Sequence, residues 1–327
     1  MGRLGGASMK ILITGTNGLL GQKIVYGLLK LNAGLKPLGK CEWPEVKNIS
    51  IIATSRGENR LIEKNGYVYE SLDIEVKSQV EAVFNKHKPD VVINTAAMTN
   101  VDACETQRDE CWKANVIAVQ NIVEVLSSLK SQISDPQLIH ISTDFIFDGE
   151  DGPYDENAKV NPLSYYALSK WEAEKIVQAS KLKWSILRTI IVYGIIDHAS
   201  RSNLVLWAKG ALEKGQHINV VDDQFRSPTL AEDLAQGCIL AALKGAIGIY
   251  NISGEKTYSI LELVYKVADY FKLDKSLIKP IKSDTLNQAA KRPPRTGFII
   301  DKAKKELGYR PYSFEEGIEI LEKQLIK

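Results

Sequence analysis

A chain of 327 residues is longer than one minimal core needs, so its length allows either one large α/β unit or a core domain with a smaller lobe. At 44% hydrophobic and 25% charged it is neither disordered nor collagen-like. The 42 basic and 40 acidic residues are interspersed without a long basic block, which gives no electrostatic footprint for nucleic acid and points to a small-molecule partner.

From Met9 to about Leu187, short β-branched runs alternate with helical periodicity. In order these are KILIT, a helix at 19–31, ISIIAT, a short YVYE, a helix at 76–86, DVVIN, a helix at 109–129, QLIHIS, a helix at 163–179 and WSILRT. Such alternation builds a parallel sheet covered on both faces, so the expected fold is α/β, a Rossmann-type doubly wound parallel sheet with a smaller C-terminal substrate lobe. The segment LNAGLKPLGKCEWPEVKN, between the first helix and the second strand, has no clear period and reads as a surface excursion.

Beyond Gly194 the spacing loosens. A helix near 202–213, the run HINVV, a helix near 230–243, the strand GIYNIS and helices near 259–271 and 314–325 follow, with Pro280 ending another short strand. The expected division is a dinucleotide-binding domain over 9–194, to which 222–251 returns, and a smaller lobe over 195–221 and 252–327. Residues 1–8, Gly-rich and preceding a second methionine, read as a flexible leader outside the fold.

Cys41, Cys104, Cys111 and Cys238 form no C-x-x-C pair, and His87, His140, His198 and His217 form no H-E-x-x-H, so no metal is expected and the thiols read as reduced and structural. No apolar run approaches the roughly 18 residues of a membrane span. The expectation is a cytoplasmic chain without a membrane or nucleic-acid partner.

KILIT runs directly into Gly15, Asn17, Gly18, Leu19, Leu20 and Gly21, a G-x-x-G-x-x-G loop opening a helix. Glycines allow a tight turn and let backbone N–H groups approach a pyrophosphate at the positive end of the helix. ISIIAT ends in Ser55 and Arg56, where an Arg accommodates a 2′-phosphate; this points to NADPH, with NADH open, and the alternative is a solvated loop residue. Asp73 and Ile74 follow the next strand; Asp73 caps the following helix or accepts from an adenine amino group.

Tyr166 and Lys170 are four residues apart on a predicted helix and share a face. A cation beside a phenol lowers its pKa from about 10, which makes a better proton donor. A second such pair, Tyr26 and Lys30, is explained by surface packing. What singles out Tyr166 is Thr143, at the C-terminal end of QLIHIS, where parallel sheets face their ligands. Its hydroxyl binds a substrate carbonyl beside Tyr166 or caps a turn.

Together, TGTNGLLGQ, INTAAMTNVDACE, ISTDFIFDG, YYALSKWEAE, LRTIIVYG, DDQFRSPTLAEDLA, YNISG and RPPRTGFIID, running from Met9 to about Tyr312, resemble the dTDP-4-dehydrorhamnose reductase family of extended short-chain dehydrogenases. The resemblance implies hydride transfer from NADPH or NADH to the C4 ketone of a dTDP-6-deoxy-hexose, with Thr143, Tyr166 and Lys170 as the catalytic triad. It adds Ala96, Ala97 and Asn115 to the cofactor contacts at Gly15, Gly18, Leu19, Leu20, Gly21, Asp73 and Ile74, and brings Tyr166 and Lys170 to the ribose and nicotinamide.

Two departures bear on sugar or base specificity. Ile191 stands where the family's LRT-x-W-V-Y-G carries an aromatic residue, and Arg226 replaces the glycine of D-Q-x-G-x-P-T. Arg226 and Arg292 read either as bidentate ligands for a substrate diphosphate or as solvated loop residues. A second reading is a regulatory subunit similar to the methionine adenosyltransferase beta subunit; a third is another nucleotide-sugar reductase or epimerase. A homodimer stays open.

Overall fold

The computed structural model describes residues 8–46, 48–198 and 203–326. Six consecutive strands, β1 (Met9–Thr14), β2 (Ile49–Ser55), β3 (Val68–Ser71), β4 (Val91–Asn94), β5 (Gln137–Thr143) and β6 (Lys183–Thr189), pair in parallel with a seventh, Gly248–Asn251. The order across the sheet is Gly248–Asn251, β6, β5, β4, β1, β2, β3. The chain therefore winds one way from β1 and the other way from β4, and the crevice at that switch point is where such sheets bind ligands.

Strand alternation sends Ile11, Ile13, Ile51 and Ile93 to one face, where they pack with Ile24 and Leu28 of α1 (Leu19–Asn32). It sends Leu12, Ile52, Val92 and Leu138 to the other, against α2 (Lys77–His87) and the helices that follow β4. Each fully buried Ile or Leu contributes about 1.5–3 kcal/mol, which fixes the register of the strands.

Between β4 and β5 lie α3 (Val101–Thr106), α4 (Arg108–Trp112) and α5 (Ala118–Ser128), and α6 (Tyr165–Ala179) precedes β6. The helix expected over 109–129 is interrupted by a wider i→i+5 turn at Lys113–Ile117. The buried positions Cys111, Asn115, Ala118, Ile122 and Val125 keep helical spacing across it, which is why the sequence does not betray this turn.

A separate apolar cluster builds the lobe from α7 (Leu204–Glu213), the Ile218–Val221 strand, α9 (Ile260–Phe271) and α10 (Phe314–Leu325). Ser259 and Ser313 start the last two helices with capping boxes. The intervening α8 (Ala231–Lys244) packs on α1 beneath the sheet.

Three expectations change. Phe298, Ile300, Ala303, Leu307 and Tyr309 join the core of the sheet rather than the lobe. Pro280 lies within Ile278–Ile281 and does not end it; this short strand pairs in parallel with Ile218–Val221. The connection at 33–48 is not purely superficial, because Pro37 and Cys41 are buried. Of the presumed leader, 1–7 lie outside the described residues, while the Ser8 hydroxyl donates to the Asn48 carbonyl. No helix among the described residues is long and apolar enough to cross a membrane.

Candidate active site

A cleft of about 1070 Å³ opens along the C-terminal ends of β1, β4 and β5 and continues under the lobe. Gly15 turns the chain out of β1 with φ +71°, and a Cβ there would lie 2.9 Å from the Ala96 nitrogen. Gly18 then begins α1 with no side-chain cap and no acidic residue in the first turn, so the backbone donors at the helix start remain available to an anion. Gly21 is needed one turn later, where a Cβ would meet the Gly15 carbonyl oxygen at 2.5 Å.

Of the residues expected to hold a dinucleotide, Gly15, Gly18, Leu19, Leu20, Ser55, Arg56, Asp73, Ile74, Ala96 and Ala97 line this cleft. Three others stand behind it. Asn17 donates to the Glu58 carbonyl at 2.8 Å and accepts from the Arg60 N–H at 2.9 Å, bracing the loop after β2. Gly21 serves the packing just described. Asn115, in the wide turn, accepts from the Met98 N–H at 2.8 Å and donates to the Ser169 hydroxyl at 3.0 Å, tying the loop after β4 to α6.

Asp73 does not cap α2, which begins at Lys77; its carboxylate accepts from the Glu75 N–H at 3.0 Å. Arg56 is 72% exposed at the rim, 3.6 Å from the Glu75 carboxylate. A strand-end glycine loop, an uncapped helix start and an exposed guanidinium fit a phosphorylated dinucleotide.

Thr143, Tyr166 and Lys170 all line the same cleft. Ser164 caps α6, and the helical period places Tyr166 and Lys170 one turn apart, facing the end of β5. Burial pushes the Tyr166 phenol well above its ordinary value, with the Thr143 hydroxyl as a hydrogen-bonding neighbour acting the other way. Burial, not the lowering expected from Lys170, governs the phenol, and the Lys170 ammonium donates to the Ile141 carbonyl at 2.7 Å. Burial brings Lys170 itself down to about 8, opposed by the Glu174 charge. Thr143 also fulfils its alternative reading: it accepts from the Phe145 N–H at 3.2 Å and so caps the turn after β5.

Sequence reasoning passed over Asp144, although it adjoins Thr143 in the motif that was singled out. It is 2% exposed, accepts from Thr143 at 3.2 Å and is pushed above the usual carboxylate range by burial, against the pull of Arg226. Arg226 lines the cleft but is not a solvated loop residue. It is 3% exposed, with its guanidinium on the carbonyls of Phe225 and Pro293, both at 2.7 Å. Arg292 lines the cleft but makes a bidentate pair with Asp102 at 2.7 and 3.1 Å. Ile191 lies on the cleft wall with φ +27°, a conformation β-branched residues avoid. The Ser142 hydroxyl is buried at the cleft without a partner among the described residues.

The family model described as RmlD substrate binding domain matches residues 9–326. The chain belongs to this family. Among individual relatives, the RmlD-family chain is 28% identical over 312 residues to the spore coat polysaccharide biosynthesis protein SpsK of Bacillus subtilis, covering 94% of this chain and 95% of that protein. It is 29% identical over 262 residues to the dTDP-4-dehydrorhamnose reductase of Aggregatibacter actinomycetemcomitans, covering 76% and 86%. With subunit beta of methionine adenosyltransferase 2 from Xenopus laevis it shares 28% over 291 residues, 88% and 79%.

A solved dTDP-4-dehydrorhamnose reductase from Clostridium acetobutylicum superposes with a TM-score of 0.79 at 28% identity, covering 98% of this chain and all 100% of that one. The Bacillus anthracis reductase, solved in complex with NADP, gives 0.78 at 26%, covering 97% and 100%.

Proposed function

We propose that the chain is an NAD(P)H-dependent oxidoreductase that reduces the C4 ketone of a nucleotide-linked 6-deoxy sugar, with dTDP-4-dehydro-L-rhamnose as substrate and dTDP-L-rhamnose as product. The observation that carries this reading is the meeting of Thr143, Tyr166 and Lys170 on one wall of the cleft into which the glycine loop opens. When bound, NADPH supplies the hydride. Gly15, Gly18 and the start of α1 would hold its pyrophosphate, and Arg56 its 2′-phosphate.

Tyr166, on α6, donates its proton to the ketone oxygen as negative charge develops there, and Thr143, at the end of β5, orients that oxygen. Lys170 contributes a positive charge that stabilises the phenolate left behind. Because burial holds the phenol protonated, it remains a donor across the neutral range. The smaller lobe over the cleft would carry the nucleotide sugar. The same reading assigns the chain to the cytoplasm, with a homodimer as the assembly to be tested by light scattering.

The experiment is NADPH or NADH oxidation by purified protein against a panel of 4-keto nucleotide sugars. The dTDP-4-keto-6-deoxy sugar should be consumed fastest, and Tyr166→Phe should lower turnover by about 10² to 10⁴ while leaving NADPH affinity nearly unchanged. Equal turnover in that variant rejects Tyr166 as the acid.

A second reading, a regulatory NADP-binding partner, rests on the similarity to the adenosyltransferase subunit. It gains if no 4-keto sugar is reduced and the chain co-purifies with an adenosyltransferase.

A further inference from the structure

Tyr26, whose spacing from Lys30 suggests no more than surface packing, joins two loops that are far apart in the chain. Its phenol donates to the Asp197 carboxylate and accepts from the Ile62 N–H at 3.0 Å, and that N–H also lies 3.4 Å from the same carboxylate oxygen. One turn earlier on α1, the fully buried Gln22 holds the backbone of Asp197, accepting from its N–H at 2.8 Å and donating to its carbonyl at 3.4 Å. Residues four apart share a helical face, so one stripe of α1 grips both the backbone and the side chain of a single residue.

Both joined segments reach the cleft. Ser55 and Arg56 line it at the start of the loop after β2, and Gly194 and Ile196 line it just before Asp197. The first loop is fastened at alternate residues: Asn17 donates to the Arg56 and Glu58 carbonyls and accepts from the Arg60 N–H, and Tyr26 takes the Ile62 N–H. Leu61, fully buried, anchors the same loop in the core, so its fold does not depend on the phenol. What the phenol adds is the link to Asp197. Burial and the Asp197 carboxylate both push Tyr26 well above its ordinary value, so it stays a donor across the neutral range.

We propose that Tyr26 and Asp197 are positioning residues for the cofactor, tying the loop that carries Arg56 to the cleft wall at Ile196 and so preorganising the site for a dinucleotide with a 2′-phosphate. This rests on the reading of the cleft as an NADPH site with Arg56 as the 2′-phosphate ligand. The exposed Arg56 side chain has little packing to aim it, so the backbone beneath must do so. A group held ready loses less freedom when its ligand arrives, and affinity rises accordingly. The bond from Tyr26 to Asp197 is charge-assisted and belongs to the stronger class. Its removal leaves the Arg56 loop attached through Asn17 and Leu61 but less well aimed, which weakens a phosphorylated cofactor more than an unphosphorylated one.

NADPH and NADH would be titrated, by their own fluorescence, into the full chain, Tyr26→Phe, Asp197→Ala and the double variant, with melting temperatures beside. Each single variant should weaken NADPH about five- to tenfold and NADH by less than half that factor. The double variant should lose no more than the larger single loss, as two ends of one bond require.

Parental NADPH affinity in both single variants overturns the proposal. So does an equal loss for the two cofactors, which is what a merely structural role would give, or a double variant whose loss is the product of the single ones. A parent chain that holds NADPH and NADH equally overturns it through Arg56, which then has no selectivity to lose. A parent that binds neither rejects the dinucleotide site itself, and the positioning role with it. Where Tyr26→Phe fails to fold, Asp197→Ala, which keeps the backbone bonds to Gln22, decides alone.

Discussion

Lys170 is a cation with almost no access to solvent, and this makes its protonation a stability term as well as a catalytic one. Its amine falls from 10.5 to about 8 because burial penalises the charge. Below about pH 8 both folded and unfolded chains hold the proton, so the folded chain bears the whole cost, on the order of 3 kcal/mol. Between about pH 8 and 10.5 the unfolded chain binds more protons, so this contribution becomes less unfavourable to folding as pH rises. Lys170→Met should therefore be at least as stable as the parent in urea unfolding at pH 7, with its relative advantage shrinking by pH 10. A clear loss of stability at pH 7 would mean that the bond to the Ile141 carbonyl outweighs desolvation. In the ligand-free chain the same titration should end activity: kcat/KM should decline above about pH 8, since that ratio reports the free enzyme.

Helix α6 is held by a buried pair as much as by packing. Arg188 of β6 makes a bidentate contact with Glu174 at 2.8 and 3.0 Å, with the two residues 2% and 0% exposed, and donates to the Glu156 carbonyl at 3.1 Å. Removing one partner strands a buried charge, so Arg188→Met should cost about 3–5 kcal/mol in denaturant unfolding. The double variant Arg188→Met with Glu174→Leu should recover most of that loss; a simple sum of the two single losses would show that the residues do not act as a pair.

Beside the central strand β1, Gly21→Ala should lower NADPH affinity at least tenfold while the circular dichroism spectrum is retained, because the added Cβ displaces the Gly15 carbonyl and with it the loop. A variant with parental affinity would remove the glycine loop from the cofactor site. These elements were legible in the sequence because strand alternation, the glycine spacing and the Tyr166–Lys170 interval are local patterns. The turn that holds Asn115 was not, since the buried positions on either side of it stay three and four residues apart.

Contacts between the sheet domain and the lobe were the least legible, because they join residues with no sequence relation. Asp102 follows β4, yet it accepts from the Ala290 N–H at 3.0 Å and from the Arg292 guanidinium. Arg226, read either as a diphosphate ligand or as a solvated loop residue, is buried against the carbonyls of Pro293 and Pro294. Composition could not foretell that these arginines bond to protein first.

For Arg292 the pair with Asp102 sets two roles apart. The guanidinium, aided by the Ala290 N–H, holds the Asp102 carboxyl below its ordinary 3.8 despite some desolvation. The pair therefore keeps its full strength above about pH 4 and weakens only as pH falls through the lowered value, so it is closed under any physiological condition. If Arg292 is a joint alone, Asp102→Ala and Arg292→Met should loosen the lobe alike and raise KM for the nucleotide sugar by similar factors. If it also receives the substrate diphosphate, the variants diverge: Arg292→Met raises KM about tenfold or more, whereas Asp102→Ala frees the guanidinium and leaves KM unchanged or lower. In both cases NADPH affinity should hold, because neither residue lies near the glycine loop. Steady-state kinetics of the two variants with a nucleotide sugar, beside NADPH titrations, separates the outcomes, and a parallel loss of NADPH binding would show that the joint shapes the whole cleft.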